Sequence, residues 1–200
     1  MTTLLLARHG QTAWNLERRW QGHADPPLND TGLAQARALA DALGDAGIDA
    51  IYSSDLLRAR QTAEIVGARV GLEVDVDERL REVDVGEWSG LTTAEVSLRY
   101  PDGHRRRLSG GTGWKQGESY EALSARVVVA LDDIAARHPA ERVLVVTHGG
   151  ALRAAWIASG GRLDAWSQSG NCDFDEVAVE DGRMRWIHSS RGGLHQQVQG

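Results

Sequence analysis

The chain has 200 residues, enough for one domain with a substantial core, and its 42% apolar and 25% charged residues are ordinary globular values. A net charge of −6 argues against a general nucleic-acid binder, which needs a basic surface. The one cysteine, Cys172, excludes an internal disulfide, and no segment approaches the roughly 20 apolar residues of a membrane span, so a soluble cytoplasmic protein is expected.

Residues 3–8, built on the apolar run Leu4-Leu5-Leu6, predict a buried strand. Residues 9–30, with Gly10, Gly22, Pro26 and Pro27, predict a long loop of the kind that carries function. Leu33, Ala36, Ala40 and Leu43 then recur at helical spacing before Gly44. Residues 50–52 predict a short strand, after which Ser54 or Asp55 would cap a helix with Leu56, Ala59, Ala63 and Val66 on its apolar face. Val74 and Val76 mark a third strand. Residues 84–117, rich in glycine and poor in apolar side chains, predict an irregular lid excursion. Tyr120, Leu123, Val127, Leu131 and Ile134 give an amphipathic helix, residues 142–147 a strand buried on both faces, and residues 151–159 a further helix. Asp181-Gly182 predicts a hairpin, and the tail from about residue 192 is expected to be mobile. Alternating strands and helices imply a layered α/β fold with a mostly parallel central sheet.

In such a fold, ligands sit beyond the carboxyl ends of the strands. Arg8-His9-Gly10 ends the first strand and Thr147-His148-Gly149 ends the central one. Residues 53–58 carry Arg58 into the first turns of a helix, whose N-terminus favours anions. Imidazole can be a nucleophile, and the guanidinium fork matches phosphate oxygens. Both residue types at one rim predict an anion-binding pocket in an otherwise acidic protein.

The order of these segments resembles the histidine phosphatase superfamily, also called phosphoglycerate mutase-like. The resemblance runs through Arg8-His9-Gly10-Gln11-Thr12 with Trp14-Asn15, Gln21-Gly22, Thr31-Gly32 and Ser53-Ser54-Asp55-Leu56-Leu57-Arg58-Ala59. It continues with Gln61-Thr62-Ala63, Leu80-Arg81-Glu82, Gly86-Glu87-Trp88-Ser89-Gly90, Gly117-Glu118-Ser119 and Val146-Thr147-His148-Gly149-Gly150. It implies a three-layer αβα sandwich, with residues 1–200 as a single domain, and phosphomonoester hydrolysis on a small phosphorylated metabolite such as a sugar phosphate or phosphoglycerate. His9 would be the nucleophile and would form a phosphohistidine. Arg8, Arg58 and His148 would hold the phosphoryl oxygens, with Asn15, Gln21 and the Gly149 N–H as further contacts. Glu82 would be the general acid and then the base. No cofactor and no metal are implied, and a homodimer is a further expectation of the family.

Glu82-Val83-Asp84-Val85 lacks the arginine and tyrosine that the mutase branch places after the acid, and the interval from Glu82 to His148 is short. Hydrolysis is therefore favoured over the alternative, cofactor-dependent phosphoglycerate transfer. A non-catalytic phosphate-binding module would not need His9 and Glu82 together. A metal site from His9, His148 and Glu82 would place a cation beside two arginines. Gln21 reads equally as a turn-shaping residue. Arg105-Arg106-Arg107 reads first as a solvated charge cluster, with steering of an acidic substrate from the lid as the alternative. Trp14, Trp20, Trp88 and Trp114 are candidates to wall the pocket, whereas His104, His138, His188 and His195 read as structural or surface residues.

Overall fold

The computed structural model describes residues 1–166 and 169–189. Strands β1 (Thr2–Arg8), β2 (Ala50–Ser53), β3 (Val74–Val76), β4 (Arg142–Thr147), β5 (Phe174–Glu180) and β6 (Arg183–Ser189) make one sheet in the order β3-β2-β4-β1-β5-β6. The first four of that order are parallel to their neighbours, while β5 runs antiparallel to β1 and β6 antiparallel to β5. The β5–β6 turn is Asp181-Gly182 as predicted, both with positive φ, which matches the twist of the paired strands.

The helices are α1 (Ala13–Leu16), α2 (Asp30–Leu43), α3 (Leu57–Val70), α4 (Thr93–Arg99), α5 (Pro101–Leu108), α6 (Tyr120–Arg137) and α7 (Gly149–Ala158). The strand period of two decides which face each meets. Leu5, Ala7, Leu144 and Val146 point to one side and pack with Ala36, Leu39 and Leu43 of α2 and Ala59, Ala63 and Val66 of α3. Leu4, Leu6, Val143 and Val145 point to the other and pack with Leu123, Val127, Leu131 and Ile134 of α6 and with Ala151 and Leu152 of α7. The result is the expected three-layer sandwich. Truncating any of these fully buried leucines to Ala would cost about 2–5 kcal/mol.

Two local expectations are corrected. Neither Ser54 nor Asp55 is the cap residue of α3; its N-cap is Leu56, without a side-chain cap bond. The Leu57 N–H instead donates to Asp25 Oδ1 at 2.6 Å, and Asp55 is taken up by Arg81. A tertiary partner from the preceding loop satisfies the orphan donor that a local side chain was expected to satisfy. The excursion at 84–117 is not irregular either. Thr92 and Glu95 form a reciprocal capping box that starts α4, and Pro101 opens α5. Few apolar residues were needed because caps, rather than an apolar stripe, start these short helices. The tail from about residue 192 lies outside the described residues.

Candidate active site

Parallel pairing puts Arg8 opposite Thr147, so His9 and His148 leave the sheet side by side. The His9 N–H donates to the Thr147 carbonyl at 3.0 Å, and the two imidazoles lie 5.2 Å apart, tilted by 57°. His9 Nδ1 is 2.6 Å from the Gly10 carbonyl oxygen. A carbonyl only accepts, so Nδ1 carries the proton and Nε2 keeps its lone pair. Gly10 is required where it stands: a Cβ there would meet the Gly32 carbonyl oxygen at 2.6 Å, because the loop after β1 lies directly on the first turn of α2.

Arg58 is buried in α3 and donates to the carbonyls of Gly22 at 2.9 Å and Ala24 at 2.7 Å. Arg8 donates to the Ser169 carbonyl at 2.5 Å. The Nε atoms of both arginines and both ring nitrogens of His148 are buried without a partner within the described protein, so these groups are held ready for polar atoms from elsewhere. Burial pushes the Arg58 pKa down to about 10 and also lowers that of Arg8. Burial, then the charge of Arg58, hold His9 and His148 well below the ordinary histidine value, with Arg8 adding to the effect. Both imidazoles are therefore neutral at neutral pH, beneath two guanidiniums that remain charged.

A cavity of about 580 Å³ opens over this rim, lined by Arg8, His9, Asn15, Gln21, Arg58, Glu82 and Gly149 among others. His148 is fully buried against the His9 ring. The Asn15 amide oxygen is occupied by the Thr12 N–H and hydroxyl, at 3.0 and 3.1 Å, which leaves its NH₂ group as donor. The Glu82 carboxylate accepts from the Val83 N–H at 2.9 Å and the Gly150 N–H at 3.0 Å, at the head of α7. The structure thus brings the candidate site residues Arg8, His9, Asn15, Gln21, Arg58, Glu82 and Gly149 to one rim, with His148 packed beneath against His9. The arrangement is an imidazole with a free lone pair, cations for a dianion and a carboxyl group within one cavity.

A family model described as the histidine phosphatase superfamily, branch 1, matches residues 4–190. The chain belongs to that superfamily. It is 37% identical over 198 residues to a metal-independent phosphoserine phosphatase of Arabidopsis thaliana, covering 95% of this chain and 81% of the relative. It is 36% identical over 201 residues to a probable phosphoglycerate mutase of Salmonella arizonae, covering 94% of this chain and 89% of that protein. Among solved structures it is similar to a mycobacterial glucosyl-3-phosphoglycerate phosphatase in complex with VO3, with 34% identity, a TM-score of 0.82 and coverage of 92% of this chain and 96% of that one.

This histidine phosphatase also holds the segment around Glu82 by residues to which sequence reasoning gave no such role. Arg126 of α6 donates to the carbonyls of Arg79 at 2.8 Å, Arg81 at 2.7 Å and Glu82 at 2.9 Å. The same guanidinium is gripped by both oxygens of Glu118, each at 2.6 Å. Thr147 donates its hydroxyl to the Leu80 carbonyl at 2.7 Å, and His23 Nε2 donates to the Glu82 carbonyl at 2.9 Å. Asn171 donates to the His9 carbonyl at 3.0 Å. The one available signal was Gly117-Glu118-Ser119, which places Glu118 two helical turns before Arg126.

The arginine run divides residue by residue. Arg105 pairs with Asp102 on the surface, and Arg106 donates to the Gly113 carbonyl at 3.1 Å within the lid. Arg107 lines the cavity. The tryptophans divide too. Trp88 and Trp114 belong to the core, Trp20 lines the cavity, and Trp14 stands against Gly90. His138 binds Tyr52 and Glu141, a structural role as expected, while His195 lies outside the described residues. Cys172 is a small buried residue whose thiol burial pushes up to about 12.

Proposed function

We propose that this chain hydrolyses phosphomonoesters of small metabolites through a phosphohistidine on His9. The observation that best supports the reading is the His9 ring, neutral, protonated on Nδ1 and flanked by guanidiniums. In the first step Nε2 bonds to phosphorus, the ester P–O bond breaks, and the Glu82 carboxyl gives its proton to the leaving oxygen. In the second step Glu82 takes a proton from water, whose oxygen bonds to phosphorus as the P–N bond breaks and phosphate leaves. Arg8, Arg58 and His148 stabilise the equatorial oxygens, where charge is spread in the transition state. Asn15 and Gln21 add neutral contacts, and the Gly149 N–H adds one at the positive end of α7.

The reading needs no metal and no cofactor, and its partner is the small ester rather than a nucleic acid. Water is favoured over a second phosphorylated acid as acceptor because Val83 and Val85 stand where a mutase would grip that acid. The reading includes a cytoplasmic location, where phosphorylated metabolites are made and consumed. The family-based homodimer is tested by light scattering of the purified protein.

Phosphate release in EDTA, from a panel that includes 3-phosphoglycerate, phosphoserine and sugar phosphates, decides the reading. Release that vanadate blocks, and that His9→Ala lowers about 10³-fold or more, is the expected result. Conversion of 3- to 2-phosphoglycerate without phosphate release would instead place the chain with the mutases. Wild-type turnover by His9→Ala would overturn the covalent mechanism.

A further inference from the structure

Arg8 and Arg58 already face the phosphoryl group in the proposed reaction, yet the cavity wall also carries Arg107 and Arg153, and Glu82 is the one carboxylate among its lining residues. Arg107 comes from the last turn of α5. Its guanidinium carbon lies 5.4 Å from the centre of the Tyr120 ring and 5.9 Å from that of Trp20. Arg153, from α7, lies 5.2 Å from the centre of the same Tyr120 ring. Ring faces attract these cations without neutralising them. Among the described residues no carboxylate pairs with either, in contrast to Arg105 with Asp102 and Arg126 with Glu118. Arg107 Nε is buried with no partner within the described protein. Two like charges beside one ring, with no anion of their own, are disfavoured until an anion joins them.

We propose that Arg107, Arg153 and Tyr120 form a second anion subsite, which takes a carboxylate on the alcohol part of the substrate. The substrate is then a phosphorylated hydroxy acid rather than a phosphorylated sugar or other neutral alcohol. This rests on the hydrolytic reading only for what happens at the phosphoryl end. A guanidinium stacked on rings offers N–H groups in its own plane, and that edge matches the two oxygens of a planar carboxylate. Burial raises the Tyr120 pKa despite both arginines, so its hydroxyl stays a donor at neutral pH. The two cations come from different bodies, Arg107 from the lid and Arg153 from α7 under the sheet edge, so a bound carboxylate also ties the lid down.

The test is a binding titration on protein carrying His9→Ala, which holds esters without turning them over. The probes are 3-phosphoglycerate and glycerol 3-phosphate, which differ only in a carboxylate against a hydroxymethyl group. The parent is expected to bind 3-phosphoglycerate at least about tenfold more tightly, and R107Q or R153Q to shrink that gap to about threefold or less by weakening this ligand alone. R105Q, on the outer face of the same helix, keeps the full gap. R153Q carries the test by itself should R107Q disturb the lid. Equal affinities in the parent, or a gap that survives both substitutions, overturn the subsite. Phosphate release by the wild type is scored separately: no release with the gap intact removes the hydrolytic reading alone, and release without a gap removes the subsite alone.

Discussion

Glu82 is placed by a residue with no side chain. A Cβ on Gly150 would lie 2.1 Å from Glu82 Oε1 and 3.0 Å from its carboxyl carbon, so Gly150→Ala must push the carboxylate off the head of α7. Under the proposed mechanism, a carboxyl group displaced in this way no longer reaches the leaving oxygen. The kcat/KM for an alkyl phosphate is expected to fall by about 10²-fold or more, while p-nitrophenyl phosphate, whose leaving group needs little protonation, loses much less. Equal losses on both esters would mean that Glu82 does not protonate the leaving group. At this scale His9, Arg8 and Arg58 were legible as candidates, because reactive side chains at strand ends and helix starts declare themselves by type and place, whereas Glu82, in the loop after Leu80, was reached only through the family resemblance. Arg126, Thr147 and Asn171 were not legible. Each acts by donating to a backbone carbonyl, a task many polar residues can do, and their identity alone does not announce it.

The elements divide by what drives them. The strands and the long helices were legible because apolar residues recur at periods of two and 3.6. In α4 and α5 the buried residues are Val96 and Gly103, so no stripe was there to read. Their start signals were nevertheless in the chain, as Thr92 with Glu95 and as Pro101. The α3 cap was misplaced because Asp25, 32 residues before Leu57, supplies it. The element that matters most for the candidate site is α6, whose Arg126, paired with Glu118 just before the helix, fastens the segment around Glu82 to the far end of the lid. The Glu118 N–H donates to the Asp84 carbonyl at 2.9 Å, so the two ends of the excursion meet there. Arg126→Ala leaves the partly buried Glu118 carboxylate unpaired and releases the carbonyls of Arg79 and Arg81, and should cost about 1.5–3 kcal/mol of stability. In whatever fraction folds, turnover of alkyl phosphates should fall more than that of p-nitrophenyl phosphate. Thermal melts and the two rates together check this, and unchanged stability would show that water replaces the guanidinium freely.

Over the whole molecule, the neutral buried imidazoles couple folding to pH. In the unfolded chain His9 and His148 take up protons near pH 6.5, whereas in the folded protein burial and Arg58 keep both unprotonated to well below that. Below about pH 6.5 the unfolded state therefore binds more protons, and stability rises with pH by up to about 1.4 kcal/mol per pH unit for each histidine. Above that range neither state is protonated there and the contribution is flat. The Tm should climb from about pH 5 to about pH 7, and His148→Gln should remove part of the climb; a Tm indifferent to pH would show that the folded protein accepts those protons. The aromatic cluster at the cavity has a consequence of another kind. Trp20 meets Trp88 edge-on at 5.3 Å and Trp114 at 6.2 Å, and Trp114 meets Tyr120 at 5.7 Å, with Arg107 stacked on both Trp20 and Tyr120. Indoles this close exchange excitation, and a cation drawn from their faces changes their emission. The protein thus carries an intrinsic optical reporter, and substrate arrival can be timed by stopped-flow fluorescence without attaching a dye.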